Sequence, residues 1–365
     1  VHWETSTTWN VGLDAVLLDN KLTATAEVYQ RKTTGALIAI PLPLYTGSTN
    51  SPAQNIGSLQ NQGLELSATY REFSKKFKYS VSGNISFNND KVLSLGGGDN
   101  PQPIYGGYVG NLANGVNITT VGRSIAEFYL VKTDGLFRTQ QEIDSYIFTD
   151  PQTGLTKNIQ PMAQVGDIRY IDNNEDGQIT DADKQFCGKS APAFTYSTTF
   201  HLEYESFDLD FFFNGQYGNK IFNYSAREAI APQNTFSNIQ SDLLANSWSA
   251  ANPNAKYPRI GLTDPNGNGN IFTDRWLEDG SFLRLQNIQL GYSVPKKLLS
   301  KLKIDKMRVY LNTTNVFTIT NYSMGNPEVG KEVYVNEAYS VLRRGVNSWQ
   351  YPMFRTFSAG IQLSF

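Results

Sequence analysis

The chain has 365 residues and near-balanced charge, 31 basic against 33 acidic, for a net of −2. That balance excludes an electrostatic nucleic-acid binder and an acidic disordered tail. The lone cysteine, Cys187, excludes an internal disulfide, and the longest apolar run, Ala36–Leu44 with Pro41 and Pro43 inside it, falls far short of the roughly 18–20 residues of a transmembrane helix.

No signal peptide opens the chain, and Val1 leads straight toward a strand, so further residues are expected to precede it. Trp9–Leu17 alternates Val11, Leu13, Ala15 and Leu17 with Asn10, Gly12 and Asp14. After a turn at Asp19-Asn20, Leu22–Tyr29 alternates again. The Pro-, Gly- and Ser-containing Thr33–Ser58 reads as a loop. Strands follow at Leu64–Tyr70 and Tyr79–Phe87, joined by a basic turn at Lys75-Lys76. A long insertion, Lys91–Ser190, holds a Gly-rich tract, a capping box at Thr139–Glu142 that predicts a short helix, and an acidic loop.

The longest clean pattern comes next. Phe194, Tyr196, Thr198, Phe200, Leu202 and Tyr204 alternate with polar residues, including His201; across Glu205-Ser206, Phe207, Leu209, Phe211, Phe213 and Tyr217 do the same against Asp208, Asp210, Asn214 and Gln216. A period of two places each set on one side of a strand. Both runs have the ~9–11 residues that cross a bilayer at a tilt. A second insertion, Lys220–Gly280, predicts a helix near Ser237–Gln240 with Ile239, Leu243 and Trp248 on one side. Phe282–Tyr292 is a strand of imperfect parity, which suggests a bulge. Val309–Thr313 and Phe357–Phe365 complete the series, and the chain ends on an aromatic residue.

About nine strands therefore alternate short turns with long connections, an arrangement in which all long loops share one rim. The fold class expected is all-β, a transmembrane antiparallel barrel. An odd strand number in a bacterial barrel again points to missing N-terminal strands. A soluble β-sandwich or carbohydrate-binding module is the alternative, with shorter and more evenly spaced strands; an outer-membrane adhesin or enzyme barrel is another.

Several segments, in order, resemble the C-terminal half of SusC/RagA-type TonB-dependent outer-membrane transporters of Bacteroidetes. They are Trp3-Glu4-Thr5 with Asn10–Asp14; Asn55-Ile56-Gly57 with Asn61–Leu66; Thr133–Phe137; Gly166–Tyr170 with Asp172–Gly177; Phe213–Asn219; Ser281–Ile288; Thr313 with Asn315–Phe317; and Arg355–Phe357. The resemblance spans essentially residues 1–365. It implies the last nine strands of a roughly 22-stranded, plugged barrel, multi-pass in the cell outer membrane. It also implies active import of oligosaccharides or oligopeptides, a SusD-like surface lipoprotein over the mouth, and TonB acting through the plug-bearing N-terminal part outside this chain. No enzymatic activity is implied.

Asp172-Asn173-Asn174-Glu175-Asp176-Gly177 matches the opening of a calcium loop. Asp172, Asn174 and Asp176 would supply side-chain oxygens, Gln178 a backbone carbonyl and Asp183 the closing carboxylate, oxygen donors suited to Ca²⁺. An Asp at the twelfth position and an extended approach depart from an EF-hand, and an ion-free Asp/Asn/Gly turn is the competing reading. Gly325–Lys331 resembles a phosphate loop but carries Glu332 where Ser or Thr is required. Tyr105, Tyr108 and Trp248 sit in long loops and mark no substrate site by themselves.

Overall fold

The computed structural model describes residues 2–39, 53–96, 101–107, 115–230, 238–261, 263–270, 272–299, 304–330, 341–348 and 350–365. Among them, nine strands form one antiparallel sheet whose spatial order is its chain order. They are β1 (Thr5–Leu17), β2 (Leu22–Ala39), β3 (Ala53–Glu72), β4 (Phe77–Ser94), β5 (Phe194–Tyr204), β6 (Phe207–Tyr217), β7 (Phe282–Ser293), β8 (Lys306–Thr320) and β9 (Thr356–Ser364). Tight turns produce this meander on one rim. Leu18, Asp19 and Asn20 all take left-handed backbone, as does Glu205 between β5 and β6. That hairpin pairs without a slip from Phe194↔Tyr217 to Tyr204↔Phe207.

The apolar rows do not meet in a core. Leu13 is 70% exposed, Leu311 60% and Ile361 62%, and Trp9, Val11, Leu66, Phe87 and Leu290 are also open. In water such a continuous apolar wall would be a severe liability; in lipid it is the required exterior. Aromatic rings collect at both ends of the wall. On the short-turn side Phe77 lies 6.5 Å from Tyr204, and Phe207 lies 4.9 Å from Tyr292. On the other side Phe194 meets Phe87 at 5.5 Å and Tyr217 at 5.3 Å. From Phe194 to Tyr204 a strand rises roughly 33 Å, which at a tilt near 40° gives a band about 25 Å tall. That is the height of an outer-membrane barrel's apolar belt.

Several strands run further than their sequence pattern. β2 reaches Ala39 and β3 starts at Ala53, so both ends of the expected Thr33–Ser58 loop are strand. Residues such as Thr33, Thr34, Gln60 and Asn61 are polar on both sides, and their ladder continues above the apolar band. The alternation marks where lipid ends, and the hydrogen bonds carry on. Residues 40–52 lie outside the described residues.

The bulge expected in β7 is present. Phe212 pairs with Asn287 but Phe213 with Leu285, which leaves Gln286 unmatched. The slip brings odd-numbered Leu283 and Leu285 to the same side as even-numbered Ile288 and Leu290. It also turns Arg284 inward with Asn214 and Thr318.

The packed apolar groups belong to the long connections. Val116, Phe128, Leu130, Phe222, Trp276 and Val346 form one cluster, and Val131, Ile168 and Tyr170 another. A four-stranded sheet that includes Glu127–Val131 and Lys184–Lys189 frames the first. The helix Gln140–Asp144 forms where the Thr139 cap predicts it, with Thr139 Oγ1 accepting from the Glu142 amide at 3.2 Å. The expected helix after Ser237 is a correction. Only Leu243–Asn246 is helical there; Leu243 is buried, Ile239 is exposed, and Trp248 lies beyond the helix end. Ser237 itself lies outside the described residues.

Leu13, midway between exposed Trp9 and Leu17, tests the lipid-facing wall. Leu13→Arg in the full-length protein folded into vesicles is expected to lose about 2–4 kcal/mol in denaturant unfolding. Leu13→Phe is expected to change little. A water-facing site would tolerate both within about 0.5 kcal/mol.

Candidate functional site

The inner side of the sheet is a cross-strand polar ladder. Asn10 donates to Glu27 at 2.6 Å and Thr25 to Asp14 at 2.6 Å. Asn287 donates to Asn312 at 2.9 Å, and Arg308 Nε to Asp208 at 2.9 Å. His201 lies on this side, with Nδ1 2.6 Å from Asp210 and Nε2 3.0 Å from Glu203, which in turn meets Lys78 at 3.2 Å. Both ring nitrogens are committed to carboxylates, so the imidazole crosslinks the wall rather than serving as a general base. Opposed donors and acceptors of this kind keep a lumen wet while holding neighbouring strands in register.

Arg284 joins the wall to a loop. It is almost fully buried; Nε donates to Thr318 Oγ1 at 2.9 Å and Nη2 to Asn326 Oδ1 at 2.8 Å, and Nη1 pairs with Glu328. Since Thr318 and Arg284 face inward, Asn326 and Glu328 are held over the inner side. Within the Gly325–Lys331 segment, Glu328 thus serves as an arginine acceptor. Lys331 and Glu332 lie outside the described residues.

A second polar hub organises the loop layer. Asp167 is wholly buried. Its oxygens accept from Asn268 Nδ2 and from the Gln164 amide, each at 2.8 Å. Arg259 Nη2 donates at 3.4 Å, while Nε sits 2.5 Å from Oδ1 out of line for a hydrogen bond, a contact that is electrostatic rather than directional. Around it Gln160 brackets Ile168–Tyr170, accepting from the Tyr170 amide at 2.8 Å and donating to the Ile168 carbonyl at 3.0 Å. The Gly166–Tyr170 stretch is thus a clasp between two insertions about 100 residues apart in sequence, as the Asn268–Asp167 bond shows. Trp248 belongs to the same layer: Gly166 takes φ +93°, and a Cβ there would strike the indole. Tyr105 lies half-buried in the strand Ile104–Gly106, and Tyr108 is outside the described residues.

The acidic loop closes on itself. Asp172 accepts from the amides of Asp176 at 3.2 Å and Gly177 at 2.8 Å. Asn174 Nδ2 donates to Asp176 Oδ2 at 2.9 Å, and the Gln178 amide donates to Asp176 Oδ1 at 2.8 Å. Asp183 is buried and accepts from the Asn173 and Thr180 amides at 2.9 and 2.6 Å. Asp172, Asn174 and Asp176 are therefore neighbours, and Asp183 joins the same loop through Oδ1 while its Oδ2 closes a capping box with Thr180. Among the described residues no group of three or more His, Cys, Asp or Glu side chains converges to hold a metal ion.

Burial pushes the Cys187 thiol up to about 11, which leaves it protonated and unreactive at neutral pH. Asp274, holding the Thr133 amide and hydroxyl, is shifted up by burial. Sequence alone missed the Arg284 and Asp167 hubs. A single Arg between Phe282-Leu283 and Leu285 was the available signal for the first; the partners of Asp167 lie too far along the chain to leave one.

Residues 2–316 match the family model for TonB dependent receptor-like β-barrels. The chain is 30% identical over its whole length to TonB-dependent receptor P3 of Formosa agariphila, of which it covers 34%, and 29% identical to TonB-dependent receptor SusC of Bacteroides thetaiotaomicron, of which it covers 32%. Among solved structures it superposes over its full length on the RagAB peptide transporter with a TM-score of 0.74 at 25% identity, covering 35% of that chain. The same score, at 26% identity, holds for the RagAB peptide importer in the closed-closed state. The chain thus spans about a third of the length of these relatives.

The Asp167 hub yields an expected outcome. Arg259→Ala strands a buried carboxylate, which typically destabilises by roughly 3–5 kcal/mol. Limited proteolysis of the full-length protein should then cut the segments around 160–170 and 255–270 several-fold faster, with the barrel intact. Unchanged cleavage would refute the hub.

Proposed function

The chain belongs to the TonB-dependent receptor-like β-barrel family, and from that premise we propose that it is the C-terminal part of an outer-membrane barrel that imports oligosaccharides or oligopeptides by TonB-dependent active transport. The plug and the remaining strands lie in polypeptide outside residues 1–365. A SusD-like surface lipoprotein covers the long-loop mouth, TonB acts through the N-terminal part, and the reading is a transporter rather than an enzyme. One observation carries it: a nine-stranded sheet with an apolar exterior, a polar interior and an unpaired edge at each of β1 and β9. Lipid tolerates a sheet only when it is closed, and nine strands leave room for the rest of a large barrel. The likeness to SusC and to the RagAB peptide transporter supports nutrient import and a lipoprotein lid.

The test is made on the full-length protein in its own cells. It should require detergent for extraction, bring a surface lipoprotein with it on purification, and support uptake that stops when TonB or the proton gradient is removed. Release into buffer alone, or uptake indifferent to TonB, would contradict the reading.

We further propose a structural Ca²⁺ in the Asp172–Asp183 loop. The D-x-N-x-D-G match and the left-handed Gly177 at its sixth position support it. Calorimetry on the full-length protein should register Ca²⁺ binding that is lost in Asp176→Ala. Equal heats from both proteins would reject it.

A further inference from the structure

The long connection after β4 folds around an open pocket of about 820 Å³, a volume suited to a small ligand or to one side chain of a larger one. The strands Ile147–Thr149 and Ile168–Tyr170 line it. Its apolar lining is led by Tyr146 and Phe148. Both rings are held in place. The Tyr146 hydroxyl donates to the Tyr170 carbonyl at 2.6 Å, and its ring lies 5.8 Å from Phe137. Phe148 is backed by Gly177, where a Cβ would come within 2.5 Å of Cδ1, and already receives one cation, with Lys157 Nζ 5.5 Å from the ring centroid.

The charge on the lining is one-sided. Asp134, Asp172 and Glu175 face a single guanidinium, Arg169. Arg169 is taken by Asp134, and Asp172 is occupied with its own loop's amides. Glu175 stands exposed on left-handed backbone, and its carboxylate makes no hydrogen bond or ion pair among the described residues. The lining hydroxyls are also spent, Tyr146 on Tyr170 and Thr149 on Thr156. Sugars are held by donors and acceptors together, and here the one charged donor is engaged. What remains is a free carboxylate beside aromatic surface, which suits an alkylammonium or guanidinium on an apolar stem.

We propose that this pocket receives a Lys or Arg side chain of the imported molecule, the rings covering the stem and Glu175 taking the charge. The proposal deepens the import reading, on which it rests for its biological meaning, by naming basic peptides as the substrate class.

The probe is a heptapeptide with blocked ends and one central Lys, titrated calorimetrically into the full-length protein in detergent. Saturable binding is expected. Acetylating the lysine, or Glu175→Gln, should each weaken it roughly tenfold, the effect of losing one charge-assisted hydrogen bond. Glu175 is exposed, so its variant is expected to fold, and an unchanged heat-resistant barrel band on gels verifies that. No saturable binding, equal binding of the acetylated peptide, an unaffected Glu175→Gln protein, or displacement of the peptide by maltoheptaose would each overturn the proposal. Failure of the import reading looks different: cells take up nutrient without TonB while the calorimetric contrast persists.

Discussion

A peptide group in hydrocarbon has no water to bond with, so every backbone donor and acceptor in the membrane must find a protein partner. That constraint shapes the whole molecule. Among the described residues, seven of the nine wall strands are bonded on both sides; β1 and β9 each present one unmatched edge. Because lipid is the outer solvent, the apolar rows stay exposed, and because the lumen is wet, the inner rows pair with one another across strands. His201 between Asp210 and Glu203, and Arg308 on Asp208, are consequences of that inner solvent.

With its apolar residues committed to lipid, the sheet cannot supply a core, and the folded core moves into the long connections. There the chain behaves as a soluble domain does, with Phe128, Phe222 and Trp276 packed together and the buried Asp167 carboxylate held by Asn268, the Gln164 amide and Arg259 at the centre of a polar hub. Arg284 links the two regimes: it stands on the wall and binds the loop that carries Asn326 and Glu328. Loss of such a buried guanidinium would free the loop from the inner side. The loop layer, in turn, is what shapes the acidic, aromatic pocket beside Phe148.

The architecture was readable from residue alternation, because a strand between lipid and water must sort its side chains with period two. The β5–β6 hairpin was visible for that reason, and so was the break in β7, where Arg284 falls out of phase with Leu290. Strand ends were not visible: Thr33, Thr34, Gln60 and Asn61 carry no alternation although their ladder continues. The site fared worse. Its residues act through tertiary partners, Arg259 with Asp167 and Arg284 with Glu328, and the acidic loop reads alike in sequence whether its oxygens serve amides or an ion. The short helix after Asp242 defeated periodicity because four residues make barely one turn.

The central claim is that these strands have oil on one side and water on the other. Nitroxide labels on cysteines substituted singly along β5 and β6, in full-length protein in vesicles with Cys187 replaced by Ser, measure it directly. Collision with dissolved oxygen should be high at Phe200, Leu209 and Phe211, and low at Thr199, His201 and Asp210. A water-soluble nickel complex should show the inverse. Labels at Phe200 and Leu209 shielded from both reagents would mean that these side chains lie in a protein core, and would contradict the account.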